Sequence, residues 1–146
     1  MRISTRLRPL AGAATVAVAA LALAVSGTSP AMAAAPAVTV TPATNLTDGA
    51  DITVSVSGFG AGEQIYAAQC AEISAGNVVC NLPDALNLVA DASGNASGET
   101  WARRSFEGTA PSGESVTVDC TTVSGGCFFG AGSPENPGTS TPISFQ

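Results

Sequence analysis

The chain of 146 residues has no histidine and no lysine, since all five of its basic residues are arginines. Without histidine neither a Ser-His-Asp nor a Cys-His arrangement can form, and without lysine there is no Schiff-base nucleophile or Ser-Lys pair. The 11 carboxylates are scattered through turn-like segments, where solubility accounts for them, and nothing singles out one catalytic pair. The sequence therefore predicts a protein that is not an enzyme.

Positive charge is scarce and unevenly placed. Arg2, Arg6 and Arg8 precede an apolar run of 16 residues at positions 10–25, and small residues surround Ala31 and Ala33. This order is typical of a secretory signal peptide, whereas a membrane-spanning helix needs about 20 apolar residues. We therefore predict a signal peptide over residues 1–33, a secreted protein, and no membrane attachment once the signal is removed.

Residues 34–146 would then form the mature protein, a length that suits one domain and leaves no room for two. In this segment Arg103 and Arg104 stand against 11 carboxylates, which gives a net charge of −9. Affinity for nucleic acids depends on Lys and Arg that neutralise phosphates, so this surface should repel DNA and RNA. We expect a monomer that makes no direct contact with nucleic acid.

The chain has only four cysteines, Cys70, Cys80, Cys120 and Cys127. In an exported chain without histidine, disulfides are favoured over metal ligands, so no metal site is predicted. Of the three possible pairings, two local bridges are favoured, because each would span a short segment rich in Gly, Asn or Ser. Long-range pairing around Trp101 is the alternative, although the intervals of 21 and 19 residues on either side fit an immunoglobulin pattern poorly.

No segment after residue 33 keeps a helical period, whereas several alternate apolar and polar residues as strands do. The clearest are residues 37–41, 51–57 and 114–120, and the weaker ones are residues 63–70, 77–80, 86–90, 100–104, 127–129 and 142–145. Gly, Asn, Asp and Pro between them supply the turns. Since each strand has one apolar face to bury against a second layer, we predict an all-β sandwich of about seven strands.

Two of the seven aromatic residues, Phe128 and Phe129, stand side by side directly after Cys127. Neighbours on a strand point to opposite faces, so the pair predicts one ring in a core and the other in a cavity. The alternative buries both rings, in the core or beneath a loop over residues 130–142. Four of the other five aromatic residues are expected to fill the core: Phe59, Trp101, Phe106 and Phe145.

Arg103 and Arg104 are likewise neighbours on a predicted strand. We expect each to pair with Glu99, with Glu107 or with an acid on an adjacent strand. The alternative is a guanidinium at the mouth of a binding cleft.

Several segments together resemble the neocarzinostatin family of secreted apoproteins, which carry enediyne chromophores. They run in family order through the whole expected mature chain, and RRSFEG at residues 103–108 and VDCTT at residues 118–122 are the most specific. The others are AAPAVTVTPATNLTDG at 34–49, QCA at 69–71, CN at 80–81, ADASGNAS at 90–97 and ISF at 143–145. The resemblance implies a seven-stranded immunoglobulin-like sandwich with two local disulfides and a deep cleft beside them.

The resemblance also implies candidate ligand-binding residues. Glu72, Ala85 and Pro111 stand where the best-known relative has aromatic contacts to its ligand. Phe128 occupies a position that faces the ligand in the family and is often glutamine, so we expect Phe128 in the cleft and Phe129 in the interior. The rest of the cleft wall is expected from Val78, Cys70, Cys80, Leu86 and Pro111.

The function that the resemblance implies is that of an antibiotic carrier with a role in self-protection. Such a protein holds a labile, apolar chromophore without a covalent bond and shields it until release, after which the small molecule cleaves DNA. The alternative is a ligand-free extracellular module that keeps the fold and contacts other proteins through its loops. The aromatic contacts missing at positions 72, 85 and 111 favour this alternative.

Overall fold

The structure is a computed structural model, which describes residues 34–146; the predicted signal peptide lies outside the described residues. Residues 34–146 form ten strands and no helix. The strands are β1 (Ala37–Thr41), β2 (Ala50–Ser57), β3 (Gln64–Ser74), β4 (Asn77–Cys80), β5 (Leu86–Val89), β6 (Ala96–Ala102), β7 (Ser105–Thr109), β8 (Ser115–Asp119), β9 (Cys127–Gly132) and β10 (Thr139–Ile143). This part of the chain therefore offers no helix with the length and apolarity of a membrane span.

The strands form two packed layers and a separate ribbon. One layer has the order β1-β2-β6, and the other has the order β10-β9-β3-β4, with β5 also paired to β3. All of these pairs are antiparallel, and β7 and β8 form a two-stranded ribbon of their own. If β4 and β5 are counted as one interrupted partner of β3, the layers contain seven strands. The prediction of an immunoglobulin-like β-sandwich is confirmed, and the ribbon is an addition to it.

The core lies between the two layers and follows from the alternation of side chains. In β2, Ile52, Val54 and Val56 point inward and are buried, while the residues between them stay at least partly exposed. Ile65 and Ala67 of β3 meet them from the opposite layer as part of the same cluster. Other members of this core are Val38, Val40, Val79, Leu88, Ala102, Phe129, Ala131 and Ile143.

Both local disulfides are present, so the predicted pairing is confirmed. Cys70 is bonded to Cys80 with an S–S distance of 2.04 Å, and Cys120 is bonded to Cys127 at 2.00 Å. The first joins neighbouring positions of β3 and β4, and the second closes the loop between β8 and β9. Long-range pairing around Trp101 is therefore wrong.

The predicted strand over residues 100–104 is wrong in its second half. β6 ends at Ala102 and β7 begins at Ser105, so Arg103 and Arg104 lie between the two strands. The backbone N–H of Arg103 donates to the side chain of Gln69 instead of to a sheet partner. A single sequence cannot show such a side-chain partner, because Gln69 lies 34 residues away.

The prediction that Trp101 fills the core is also wrong. Trp101 is 49% exposed on the outer face of the three-stranded layer, where it lies opposite Asp51. Its neighbours Thr100 and Ala102 take the inward positions of β6. Of the other aromatic residues assigned to the core, Phe59 and Phe106 are buried, and Phe145 is partly buried against the core.

Candidate functional site

An apolar cleft of about 570 Å³ lies on the outer face of the five-stranded layer. Its floor consists of outward-facing residues of two adjacent strands, Ala68 and Cys70 from β3 and Phe128 and Gly130 from β9. Ala68 is paired with Gly130, and Cys70 is paired with Phe128, so these four positions form a contiguous patch. The cleft floor therefore contains one aromatic ring beside a disulfide, and it has no charged group.

Two walls rise from this floor. The first contains β4 and the loop of residues 81–85, which present Val78, Cys80, Leu82 and Ala85. The second contains the start of β10 and the residue before it; its lining residues are Gly138, Thr139 and Ser140. Tyr66 and Ala131 complete the lining. The lining is therefore apolar apart from three hydroxyl groups, and the side chains of Val78 and Leu82 are exposed to solvent. Exposed apolar side chains in a concave site are typical of a binding surface.

Phe128 and Phe129 show how β9 creates this floor. Phe129 points inward and is only 1% exposed, whereas Phe128 is partly buried on the cleft face. The two outward positions that follow Phe128 are glycines, Gly130 and Gly132. A Cβ at Gly130 would lie 3.6 Å from the Phe128 ring, so the missing side chain leaves the space beside the ring open.

Five of the eight predicted binding residues line this cleft: Phe128, Cys70, Cys80, Val78 and Ala85. The structure thus brings together residues of β3, β4, β9 and the loop at 81–85. Their contact with a ligand remains a prediction.

The other three predicted binding residues lie elsewhere. Leu86 faces the interior with Leu88, and both side chains lie within 3.4 Å of the Cβ position of Gly98. Pro111 is exposed in the turn between β7 and β8. Glu72 is exposed beside Val78, and its carboxylate accepts a 2.7 Å hydrogen bond from the backbone N–H of Gly76.

Several lining residues were missed from the sequence. Tyr66 and Ala68 could have been found, because they alternate with Cys70 on one face of a predicted strand. Leu82, Gly138 and Ser140 gave no such signal. They lie in a loop and at the start of a strand that the sequence placed in a loop, and only the chain path brings them to the cleft.

A buried polar network lies behind the first wall. Gln69, which is 2% exposed, follows Ala68 on β3 and points inward. Its side-chain Oε1 accepts from the backbone N–H of Arg103 at 2.8 Å, and its Nε2 donates to the Arg103 carbonyl at 2.5 Å. The backbone N–H of Asn81 donates to the carbonyl of Gln69 at 2.8 Å. These bonds attach both the first residue of the wall loop and Arg103 to the strand that forms the floor.

Asp84 and Arg103 form the one ion pair among the described residues. Arg103 Nε donates to Asp84 Oδ2 at 2.9 Å, and the Asp84 side chain is 17% exposed. This hydrogen bond lowers the pKa of Asp84 and raises the pKa of Arg103. The predicted partners Glu99 and Glu107 are therefore wrong for Arg103, and the predicted pairing of Arg104 is wrong as well, since Arg104 forms no ion pair with the described residues. Neither Arg103 nor Arg104 is a lining residue of the cleft, so the alternative of a guanidinium at its mouth gains no support.

A second carboxylate, Glu63, holds the chain that leads into the other wall. It is 9% exposed and accepts hydrogen bonds from the Ser133 hydroxyl and from Asn136 Nδ2, the latter at 2.7 Å. These bonds lower the pKa of Glu63, and the bond from Ser133 contributes most to the shift. The loop between β9 and β10 is thereby attached to the end of the sandwich next to β3.

A larger groove of about 700 Å³ lies along β1, β2 and the segment of residues 87–97. Most of its lining side chains are polar, including those of Thr39, Ser55, Asn87 and Asp91. It has no aromatic ring, and it offers less apolar surface than the cleft beside Cys70. The smaller cleft beside Cys70 is therefore the better candidate for an apolar ligand.

The groups in and around the cleft are few in kind. All four cysteines are in disulfides, so the described residues contain no free thiol. Residues 34–146 also contain no group of three His, Cys, Asp or Glu side chains that could hold a metal ion. What the cleft offers is apolar surface, one phenyl ring on its floor and hydroxyl groups along one side.

The family profile, the related sequences and a solved structure that match this chain all point to one protein family. Residues 38–145 match the sequence profile of the Neocarzinostatin family. The antitumor antibiotic C-1027 apoprotein of Streptomyces globisporus is 46% identical over 118 residues, which cover 80% of this chain and 80% of that protein. Apokedarcidin of an Actinomycete sp. is 39% identical over 106 residues, which cover 71% of this chain and 92% of that protein.

The solved structure of macromomycin, a protein of Streptomyces macromomyceticus, is also similar. The two structures superpose with a TM-score of 0.70 at 34% sequence identity, and the superposition covers 77% of this chain and 100% of the macromomycin chain.

Proposed function

The chain belongs to the neocarzinostatin family, and from this we propose that it is a secreted apoprotein that binds and shields a small apolar or aromatic chromophore of the enediyne type. The binding is non-covalent, and the protein acts as a carrier rather than as an enzyme. The relatives support this proposal, since C-1027 is named as an antitumor antibiotic apoprotein. The observation that carries it in this chain is the open apolar cleft with Phe128 on its floor.

The physical basis of binding is burial of apolar surface. Each 100 Å² of apolar surface removed from water contributes roughly 2.5 kcal/mol, from which the cost of immobilising the ligand is subtracted. A flat aromatic group placed on Phe128 would add an offset-stacked or edge-to-face contact. Leu82 and Val78, which are 67% and 41% exposed, would lose much of that exposure to a bound ligand.

Protection of a labile ligand follows from what the cleft does not contain. Its lining has no carboxylate, amine or thiol, and its polar side chains are those of Tyr66, Thr139 and Ser140. The few groups able to attack or protonate a bound molecule are therefore hydroxyls. Exclusion of water and nucleophiles is what a carrier of a reactive compound requires.

Protein purified from its native secretion tests the proposal directly. We expect absorbance beyond that of Trp101 and Tyr66, from a compound that organic solvent extracts without breaking a covalent bond. A colourless protein with no extractable compound would support the alternative, a ligand-free module. Two positions favour that alternative. Position 72 is an exposed glutamate and Pro111 lies outside the cleft, whereas the best-known relative has aromatic contacts to its ligand at both positions.

Binding can also be tested without the native ligand. We suggest 1-N-phenylnaphthylamine (NPN), a neutral apolar dye whose fluorescence rises in apolar surroundings. Ala68→Leu would place a larger side chain on the cleft floor and should abolish most of the NPN signal. Ala37→Leu, at an exposed alanine of β1, is the matched control and should leave the signal unchanged. Equal NPN binding by both variants would contradict this cleft as the binding site.

A further inference from the structure

The loop of residues 81–85 forms part of the cleft wall but has few attachments of its own. It starts at Asn81, whose N–H is bonded to Gln69, and it ends where β5 begins. Between these ends it makes one internal turn, in which the N–H of Ala85 donates to the carbonyl of Leu82 at 3.1 Å. Leu82 is 67% exposed, so its burial contributes little to holding the loop in place.

Asp84 supplies the missing attachment. Its Oδ2 accepts hydrogen bonds of 2.9 Å from both Arg103 Nε and Asn81 Nδ2. Its carbonyl accepts a 2.8 Å bond from the hydroxyl of Thr100, a buried residue of β6. Asp84 therefore connects the middle of the loop with the opposite layer of the sandwich, while the neighbouring Ala85 lines the cleft.

Arg103 is held in position independently of its own side chain. Both its backbone N–H and its carbonyl are bonded to the buried side chain of Gln69. Its guanidinium lies 5.5 Å from the centre of the Trp101 ring, within the range of a cation–π contact. The loop is thus bonded to an arginine whose backbone is held by Gln69 and whose guanidinium lies against the Trp101 ring.

We propose that the Asp84–Arg103 ion pair is a positioning element of the cleft: it holds the loop of residues 81–85 so that Leu82 and Ala85 face the ligand. Neither Asp84 nor Arg103 lines the cleft, so both act through these two residues. The proposal rests on the carrier function proposed above. Trp101 then supports the guanidinium of Arg103, and Arg103 in turn holds the loop. The proposal also gives a role to an ion pair whose two residues lie 19 positions apart in the sequence.

The chain offers a matched pair of variants for a test. Arg103→Gln removes the bond to Asp84 but keeps the backbone bonds to Gln69. Arg104→Gln makes the same change of charge at the next residue, whose hydrogen bonds are made by its backbone: its N–H donates to Asp48, and its carbonyl accepts from the N–H of Cys120. Amide hydrogen exchange at Ala85 reports on the loop, and exchange at Val54 in the buried part of β2 reports on the whole sandwich.

We expect Arg103→Gln to speed exchange at Ala85 about fivefold and to weaken NPN affinity by a similar factor, since a partly exposed ion pair contributes up to that much. Exchange at Val54 should not change, and Arg104→Gln should behave as the wild type. The effect of Asp84→Asn combined with Arg103→Gln should be smaller than the sum of the two single effects, because both changes remove the same contact between Asp84 and Arg103.

Unchanged exchange at Ala85 in Arg103→Gln would overturn the proposal, as would faster exchange with unaltered NPN affinity. A wild-type protein that binds no NPN is a different result, because it contradicts the carrier function. In that case the exchange rates would still decide whether the ion pair fixes the loop.

Discussion

Phe128 and Phe129 have the same side chain and adjacent positions, yet they lie in opposite environments. The register of β9 places Phe128 beside Cys70 on the cleft face and Phe129 beside Gln69 in the interior. Replacing each phenylalanine by alanine removes the same atoms in both cases. The two variants therefore separate the contribution of the cleft ring to binding from the contribution of the core ring to stability.

We predict that Phe128→Ala weakens NPN binding by about 1 to 3 kcal/mol, because it removes the aromatic surface on the cleft floor. The loss of stability should stay below about 1 kcal/mol, since the ring is only partly buried. Fluorescence titration and urea unfolding measure the two quantities. A large loss of stability with unchanged affinity would show that the ring serves the core instead.

We predict that Phe129→Ala lowers the free energy of unfolding by about 3 to 5 kcal/mol, because a buried phenylalanine leaves a cavity when it is truncated. Below the unfolding transition, the affinity for NPN should change much less than in Phe128→Ala. Urea unfolding monitored by circular dichroism gives the first value. A loss of less than about 1 kcal/mol would contradict the placement of this ring in the core.

Among the elements, the β7–β8 ribbon depends on one close backbone approach. A Cβ at Gly108 of β7 would lie 2.8 Å from the carbonyl oxygen of Cys80 at the end of β4, closer than real Cβ contacts allow. The same Cβ would also overlap the side chain of Val79. Glycine is therefore required here for the ribbon to pack against the strand that forms a wall of the cleft.

We predict that Gly108→Ala destabilises the protein by roughly 1 to 3 kcal/mol, since backbone atoms must move apart to accommodate the methyl group. Gly138→Ala is a suitable control, because its Cβ would make only an ordinary 3.6 Å contact with the carbonyl of Ala131. Thermal unfolding of the two variants measures the difference. Equal melting temperatures would contradict the close packing of β7 on β4.

At the scale of the whole molecule, two carboxylates hold the chain segments that border the cleft. The hydrogen bond from Arg103 lowers the pKa of Asp84, and hydrogen bonds from Ser133 and Asn136 lower the pKa of Glu63. When the pKa of a carboxyl is lower in the folded than in the unfolded chain, protons bind preferentially to the unfolded chain. The stabilisation is complete above the unfolded pKa and is lost as the pH falls through the folded pKa.

We therefore predict that stability is nearly constant from pH 8 to about pH 5 and declines below about pH 4, where unfolded carboxyl groups begin to bind protons. The urea midpoint measured across this range tests the direction. In Arg103→Gln the pKa of Asp84 should rise toward its ordinary value, which would reduce the acid-dependent part of the decline. A urea midpoint that rises on acidification would contradict these roles.

Much of the fold followed from local pattern. Alternation predicted β1 and β4 at their observed bounds, and the short segments between cysteines predicted both disulfides. The same alternation separated Phe128 from Phe129, because the period of two is a property of the strand itself. The family resemblance then pointed to five residues that line the cleft.

The remaining features depend on partners that are distant in the sequence. Trp101 lies outside the core because the register of β6 on β2 turns its side chain outward. β6 ends before Arg103 because the backbone N–H of Arg103 donates to the side chain of Gln69 instead of to a neighbouring strand. Arg103 pairs with Asp84 and not with Glu99 or Glu107, which are nearer to it in the sequence, because the folded chain brings Asp84 to its guanidinium. The sequence alone determines that neighbouring residues of a strand point to opposite faces. The folded packing decides which of those faces is buried and which distant groups meet, since burial, hydrogen bonds and ion pairs all require contact in space.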